Sequence, residues 1–295
     1  MTTIPVAQSQ LSTKESARTT RPEIQLLLCC ARTQSLVNYG VHIGIRVSES
    51  KIWEQLQDYL PPGWELSSSP SVDELYSLVI SKSPSYHQLF RRQQELLRTR
   101  DLENIFEALD SDLRLQVAIK VKDKLFVHAG VVGWQGRAII IPGRSFSGKT
   151  TLVAALVKIG ATYYSDEYAV FDANGLVYPY PRRLSIRQAE GKRVQRCPVE
   201  ELGGQSGTEP LSVGMVIHTH YQVGVQWCPN QISLGQAVLA LLDNTVVARL
   251  RPEFALPILA TAVSNALIFE GQRGEADETA SLILKQLENS SLSKE

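Results

Sequence analysis

Eight consecutive residues have the composition and spacing of a polyphosphate-binding loop. Residues 143–150 read G-x-x-x-x-G-K-T, with two glycines that allow a tight turn and a lysine and threonine directly after it. Backbone N–H groups of such a loop point at phosphate oxygens, the lysine neutralises charge between the outer phosphates, and the threonine hydroxyl can ligate Mg²⁺. The predicted nucleotide-binding residues are Gly143, Arg144, Ser145, Phe146, Ser147, Gly148, Lys149, Thr150 and Thr151.

The segments on either side of this loop provide the context that the motif requires. The apolar run from Ala138 to Ile141, stopped by Pro142, predicts a strand. Leu152, Leu156 and Ile159 recur at helical spacing and predict a helix. A glycine turn between an ordinary strand and helix is the alternative interpretation, but strand, loop and helix in this order favour phosphate binding.

Two consecutive acids, Asp166 and Glu167, interrupt an apolar run predicted as a strand over residues 161–171, which is expected to lie beside the loop strand. Phosphoryl transfer needs an acid that holds metal or accepts a proton. Neighbours on a strand point in opposite directions, so one acid could face the nucleotide and the other a second partner. The alternative is a strand end with two solvated acids. Burying the pair among apolar and tyrosine side chains would be costly without a cation, which favours a site.

His128 lies on the predicted strand that precedes the loop strand, in a β-hairpin. A lone histidine in an apolar strand is usually a core residue, whereas here a charge partner for Asp166 would also be needed. The sequence leaves both interpretations of His128 open.

Composition limits the classes of protein and partner. The chain has 295 residues, of which 43% are hydrophobic, and it has 30 basic and 30 acidic residues, so the net charge is zero. A sizeable core is expected, and no global field favours nucleic acid or an anionic membrane surface. The four cysteines have no C-x-x-C spacing, and the first 20 residues have no apolar signal core. We therefore expect a cytoplasmic protein without nucleic-acid or membrane partners.

The pattern along the chain predicts three regions: a disordered tail over 1–20, an accessory α+β segment over 21–118, and an α/β domain over 119–295. The accessory segment is expected to contain strands at 23–31, 41–47 and 75–81 and a helix at 50–60. Two helical patterns follow over 87–118, and the arginines of the first are interpreted as a solvated helix face rather than an anion patch. Residues 191–212 are interpreted as a mobile loop.

Three motifs in this order resemble the catalytic domain of the HPr kinase/phosphorylase family. These are the strand segment at 127–130 (Val-His-Ala-Gly), the loop at 143–150 (Gly-Arg-Ser-Phe-Ser-Gly-Lys-Thr) and the acidic strand at 165–170 (Ser-Asp-Glu-Tyr-Ala-Val). The resemblance covers about residues 120 to 275. It implies a P-loop kinase core of the type shared by HPr kinase and phosphoenolpyruvate carboxykinase, preceded by the small N-terminal α+β segment. Related kinases encoded beside peptide-modification genes phosphorylate a serine of a precursor peptide.

The resemblance also implies roles for individual residues. Asp166 matches the base that deprotonates the acceptor hydroxyl, His128 the histidine that interacts with this base, and Glu167 the second acid, which would hold Mg²⁺ with Thr150. The start of the family's C-terminal helix is similar to residues 250–252 after a shift of one residue, which implies that Arg251 is a cation on the phosphate side. The expected activity is Mg-ATP-dependent transfer of the γ-phosphate to a hydroxyl, with serine on a peptide or protein as the acceptor.

The loop and the acidic strand also differ from the family pattern, which leaves alternatives open. Phe146 stands where the family usually has glycine, and Glu167 replaces its second aspartate. The family's Glu-x-Arg-Gly-Leu-Gly signature has no convincing match, which weakens the expectation of phosphorylase activity and of HPr as substrate. A small-molecule kinase and a non-catalytic nucleotide-binding regulatory module are the alternatives, and a homo-oligomer is compatible with all three.

Overall fold

The computed structural model describes residues 31–81, 86–144, 147–187 and 194–292, and these form two compact units. The first unit comprises residues 31–37, 42–60 and 65–112, and the second comprises residues 38–41, 61–64 and 113–292. The predicted tail at 1–20, the loop residues Ser145 and Phe146, and nearly all of the strand predicted at 23–31 lie outside the described residues. The described chain is a mixed α/β protein with mixed sheets.

The first unit is built around a six-stranded sheet in the order β3-β1-β2-β4-β5-β6. Its strands are β1 (Arg32–Asn38), β2 (Val41–Val47), β3 (Glu65–Leu66), β4 (Glu74–Val79), β5 (His87–Arg91) and β6 (Gln94–Thr99). Helix α1 (Ile52–Leu56) and a 3₁₀ turn (Gln57–Tyr59) follow β2. The structure therefore confirms the predicted strands at 41–47 and 75–81 and the helix near 50–60.

The first helical pattern predicted within residues 87–118 is wrong, because β5 and β6 form an antiparallel hairpin there. Its arginines consequently do not form a helix face. Arg91 pairs with Asp112 at 3.0 Å, Arg92 with Glu74 at 3.1 Å, and Arg98 with Glu95 at 3.1 Å. The second pattern is a helix as predicted, α2 (Leu102–Lys120).

The second unit is organised around an eight-stranded sheet in the order β11-β10-β7-β8-β14-β16-β15, with β9 also paired to β7. Strands β8 and β16 are parallel to the β14 strand between them, and the remaining resolved pairs are antiparallel. These strands are β7 (Leu125–Trp134), β8 (Arg137–Pro142), β9 (Thr162–Ser165), β10 (Tyr168–Phe171), β11 (Val177–Tyr178), β14 (Ser212–Tyr221), β15 (Asn230–Gln231) and β16 (Leu267–Arg273). A separate hairpin consists of β12 (Leu184–Arg187) and β13 (Val194–Cys197).

Helices cover both faces of the large sheet. They are α3 (Lys149–Lys158), α4 (Leu234–Leu242), α5 (Pro252–Val263) and α6 (Ala276–Leu292). Alternation along β8 sends Ile139 and Ile141 into a core with α3 and α6, and Ala138 and Ile140 into a core with α4 and α5. Within the described part of the chain, no helix is both long and apolar enough to cross a membrane.

The pairing of this sheet confirms the predicted β7–β8 hairpin and corrects two other expectations. The acidic run over residues 161–171 was expected beside the loop strand β8, but β9 and β10 both pair with β7 instead. The predicted mobile loop at 191–212 contains strand β13, a 3₁₀ turn (Val199–Leu202) and the start of β14. Strand β13 was not predicted because the glycine and polar residues around it are typical of a loop.

Candidate functional site

The predicted phosphate loop connects the carboxyl end of β8 to the amino end of α3. Gly148 directly precedes the helix with φ of 82°, a left-handed conformation that glycine adopts without strain. Lys149 Nζ donates hydrogen bonds to the carbonyl oxygens of Gly143 at 2.6 Å and Arg144 at 2.8 Å. Burial lowers the pKa of Lys149, and the charges of Glu167 and Asp166 partly oppose this shift. The lysine is therefore folded back over the loop, close to both acids.

The described loop residues differ in their exposure. Arg144 and Thr151 are exposed, whereas the Ser147 hydroxyl oxygen is buried without a hydrogen-bond partner among the described residues. A Cβ atom on Gly143 would lie 2.7 Å from this hydroxyl oxygen, so a larger residue at the first loop position would force the Ser147 side chain to move. The loop thus packs closely against itself at its start.

Asp166, Thr150 and Tyr163 form a group that we call the inner cluster. The Thr150 hydroxyl donates to Oδ2 of Asp166 at 3.0 Å, and the Tyr163 hydroxyl donates to Oδ1 at 3.0 Å. Asp166 is only 6% exposed, and this burial raises the pKa of its carboxyl, against the opposing effects of Arg182 and the two hydroxyls. The first helical turn of α3 is therefore connected directly to the acid from the interrupted strand.

Glu167, Arg114 and His128 form a second group, which we call the outer cluster. Arg114 pairs with Glu167 at 2.8 Å, and Nδ1 of His128 lies 3.8 Å from the same carboxylate oxygen. Burial raises the pKa of Glu167, but Arg114, Arg182 and His128 together outweigh it, so the pKa is lowered. The Glu167 side chain is 30% exposed. The family resemblance implies that His128 interacts with Asp166, whereas in the structure the carboxylate near His128 is that of Glu167.

The acids of these two groups are consecutive residues of one short break between β9 and β10, which hydrogen bonds to the backbone hold in place. The Ser165 hydroxyl accepts hydrogen bonds from the N–H groups of Glu167 at 3.1 Å and Tyr168 at 2.9 Å. The Ala129 N–H donates to the Glu167 carbonyl at 3.1 Å, and the Gly143 N–H donates to the His128 carbonyl at 3.2 Å. Strand β7 therefore holds both the acidic break and the first residue of the loop.

Arg251 is the predicted site residue that the structure does not bring to these clusters. Its guanidinium donates to the carbonyl of Val121 at 3.0 Å and lies 4.1 Å from the ring centroid of Phe254. No contact of Arg251 in the described chain is with the loop. Helix α5 begins at Pro252, as predicted. The observed contacts of Arg251 are with Val121 and Phe254 rather than with the phosphate loop.

Three residues of the site could not be assigned from the sequence. Tyr163 belongs to the run predicted as a strand, but the sequence does not indicate that its hydroxyl contacts Asp166. Arg182 lies outside the three motifs, and its charge lowers the pKa of both Asp166 and Glu167. Arg273, which is 125 residues from the loop along the chain, donates to the Gly148 carbonyl at 2.9 Å. Period-two alternation in β16 places Arg273 on the α3 face with Phe269, but it does not identify the partner.

The structure thus brings together Lys149, Thr150, Asp166, Glu167 and His128, from three segments that were predicted separately. The arrangement offers backbone amides and a lysine for an anion, and two carboxylates in different environments. A scan against models of known protein families and a search of curated proteins both find no match to this chain.

Proposed function

We propose that this protein is a Mg-ATP-dependent kinase that transfers the γ-phosphate to a hydroxyl group, with serine on a peptide or protein as the acceptor. The observation that carries the proposal is the hydrogen bond from Thr150 to Asp166. It joins a strand-loop-helix segment with a phosphate-loop sequence to a carboxylate from another strand. The choice of serine rests on the resemblance of the three motifs to the HPr kinase/phosphorylase family.

On the nucleotide side, the amides at the start of α3 and the ammonium group of Lys149 would bind the β- and γ-phosphates. The lysine donates hydrogen bonds to two loop carbonyls, which an anionic ligand would replace as partners. Because Lys149 is partly buried, its charge would act on the phosphates in a medium less polar than water.

Thr150 and Asp166 fit a Mg²⁺ ion that arrives with the nucleotide. Both offer the oxygen ligands that Mg²⁺ prefers, and a threonine hydroxyl can turn to act as an acceptor. No group of three or more His, Cys, Asp or Glu residues within the described ranges could hold a metal by itself. Mg²⁺ in nucleotide sites is usually bound through one or two protein oxygens, with substrate phosphates and water as its remaining ligands. When bound, Mg²⁺ would offset charge on the phosphates.

On the acceptor side, the contacts favour Glu167 over Asp166 as the base. Asp166 is buried and accepts two hydrogen bonds from hydroxyls, whereas Glu167 keeps its ionised form beside Arg114 and remains partly exposed. The acceptor oxygen would bond to the γ-phosphorus, the bond from this phosphorus to the ADP oxygen would break, and the hydroxyl proton would pass to Glu167. His128 would orient the carboxylate from 3.8 Å. The roles that the resemblance implies for the two acids are thereby exchanged.

The experiment that tests the proposal uses ATP radiolabelled on the γ-phosphate, with Mg²⁺, serine-containing peptides, a panel of small hydroxyl metabolites, and a control without acceptor. Label on a peptide serine supports the proposal. Label on a metabolite alone makes the protein a small-molecule kinase, and ATP binding without any transfer makes it a nucleotide-binding module. Either of the last two results rejects the serine kinase.

A further inference from the structure

The last residue of β16, Arg273, is a buried arginine beside the phosphate loop. The carboxyl ends of β8, β14 and β16 share one edge of the sheet because these strands are parallel. Arg273 lies opposite Tyr221 in the register of β14 and β16, and its guanidinium is 5.4 Å from the Tyr221 ring centroid. It is only 2% exposed. Ligands of open α/β sheets bind at this kind of edge.

The contacts of Arg273 are unusual for a buried cation. Nη2 donates to the Gly148 carbonyl at 2.9 Å, and Nη1 donates to the Gly274 carbonyl at 3.1 Å. Its Nε is buried without a partner, and none of its contacts within the described ranges is an ion pair. Glu275 acts on it only at longer range. A buried charge is costly unless it is paired, so this positive charge is available to an anion near the loop.

Because Gly148 has no side chain, the Arg273 guanidinium can lie directly against its backbone. A Cβ atom at position 148 would lie 2.4 Å from Nη2 of Arg273, and the positive φ would strain any other residue as well. The Gly148 carbonyl also accepts from the Leu152 N–H at 3.2 Å, the first hydrogen bond of α3. Two donors therefore hold this carbonyl in one direction.

The direction of this carbonyl determines the direction of a neighbouring amide. A peptide unit is planar and trans, so the N–H of Lys149 points away from the Gly148 carbonyl. Holding the carbonyl toward Arg273 keeps the amide aimed outward from the start of α3, where a phosphate would bind. Preorganised donors bind more tightly because the ligand does not have to order them.

We infer that Arg273 is a positioning residue that holds the end of the phosphate loop, at Gly148 and the Lys149 amide, in its binding conformation before a polyphosphate arrives, and that it supplies a buried positive charge behind this end. This inference rests on the proposed nucleotide site and extends it to a residue outside the three sequence motifs. A purely structural arginine would stabilise the fold without changing the order of the loop or the affinity for phosphate.

The test compares wild type with Arg273→Lys, Arg273→Met and, as a control, Arg91→Met, which removes a half-buried arginine of the first unit. Hydrogen exchange of residues 147–152 is measured without ligand, and binding of ATP and of pyrophosphate is measured by calorimetry. We expect Arg273→Met to exchange faster at 147–152 and to bind both ligands roughly tenfold to a hundredfold more weakly. Arg273→Lys should be intermediate, because it keeps the charge and one donor. In a transfer assay, KM for ATP should rise more than kcat falls.

Unchanged exchange at 147–152 in Arg273→Met, or unchanged binding of both ligands, would overturn the inference, and so would equal weakening in Arg91→Met. If Arg273→Met does not fold, Arg273→Lys decides, and wild-type behaviour in both measurements overturns the inference. If wild type binds neither ATP nor pyrophosphate, the nucleotide site itself is rejected. The exchange comparison would then still show whether Arg273 orders the loop.

Discussion

The inner and outer clusters contain adjacent acids, yet they give these acids opposite electrostatic settings. In the inner cluster, Asp166 contacts two neutral hydroxyls and is almost fully buried, and burial raises its pKa. In the outer cluster, Glu167 pairs with Arg114 and stays partly exposed, and nearby cations lower its pKa against the effect of burial. One backbone step across a break in the sheet is enough to produce this difference.

The comparison shows how a single short segment can place two adjacent acids in different environments. Asp166 and Glu167 lie between the end of β9 and the start of β10, where Asp166 contacts Thr150 of the loop helix and Glu167 pairs with Arg114 near His128. Two acids whose environments push their pKa values apart are the usual basis for assigning different roles. Single substitutions can alter the inner cluster, the outer cluster or the phosphate loop separately.

The largest effect is expected from Lys149→Met, which removes the cation that lies between the loop and both clusters. Loss of this charge should abolish detectable transfer, a decrease of about a thousandfold or more, because phosphate charge in the transition state is no longer offset. Lys158→Met, at the exposed end of the same helix, is the matched control and should retain wild-type transfer and ATP affinity. Equal activity in the two variants would contradict a phosphate role for Lys149.

The next effect separates the two acids. Asp166→Asn should reduce the gain in ATP affinity that Mg²⁺ gives over EDTA, and Glu167→Gln should keep this gain but lower transfer by roughly a hundredfold to a thousandfold. Calorimetry with and without Mg²⁺ measures the first property, and initial rates at saturating ATP measure the second. If Asp166→Asn retains the full Mg²⁺ effect and loses transfer, Asp166 is the base and the roles implied by the family resemblance stand.

A smaller effect is expected from Thr150→Val, which removes a hydroxyl of the inner cluster but keeps the shape of the side chain. We expect about a tenfold loss of Mg²⁺-dependent ATP affinity, because Asp166 also loses a hydrogen-bond donor. Thr261→Val is the matched control, since Thr261 is an exposed threonine of helix α5 and is not one of the predicted nucleotide-binding residues. An equal loss in both variants would indicate a general effect of the substitution rather than a role of Thr150 at the site.

The local elements of the site could be predicted from the sequence because each depends on residues close together in the chain. The strand before the loop, α3, and the interruption at Asp166 and Glu167 all follow from apolar periodicity and its breaks. Helix α4 begins at Leu234, and Ser233 caps it through a capping box with Gln236, which is a local signal of the same kind. The hairpin of β5 and β6 was missed because leucines at 89, 96 and 97 fit a helical spacing, and pairing with β4 overrides that preference.

Contacts between distant segments could not be predicted. The sequence leaves open whether His128 is a core residue or a partner of Asp166, and its contact with Glu167 depends on the register of β7 with β9 and β10. The same holds for Arg273, whose partner Gly148 belongs to a different part of the chain. The sequence therefore identified the residue types of the site more reliably than their pairing.

The smallest effect concerns stability, and it tests the contrast between the two acids directly. Because the folded pKa of Asp166 is raised, its charge destabilises the fold at neutral pH, and this penalty disappears as pH falls through the folded pKa toward 3.8. The pKa of Glu167 is lowered, so its charge contributes stability above 4.5 that is lost as pH falls through the folded pKa. Removing each charge should therefore change stability with opposite pH dependences.

Thermal unfolding of metal-free wild type, Asp166→Asn and Glu167→Gln at a series of pH values measures this contrast. On acidification from pH 7, Asp166→Asn should lose stability relative to wild type and Glu167→Gln should gain it, each by about 1 kcal/mol, or roughly 2–4 °C in Tm. The change for Asp166→Asn should begin at the higher pH, because its folded pKa lies above its ordinary value and that of Glu167 lies below. Asparagine keeps one carbonyl oxygen that can accept from Thr150 or Tyr163, so Asp166→Asn also loses one hydrogen bond. This loss lowers the stability of the variant by the same amount at every pH and leaves the slope of stability against pH unchanged. Parallel curves for the two variants would show that both acids share one environment, and the separation into an inner and an outer cluster would then be wrong.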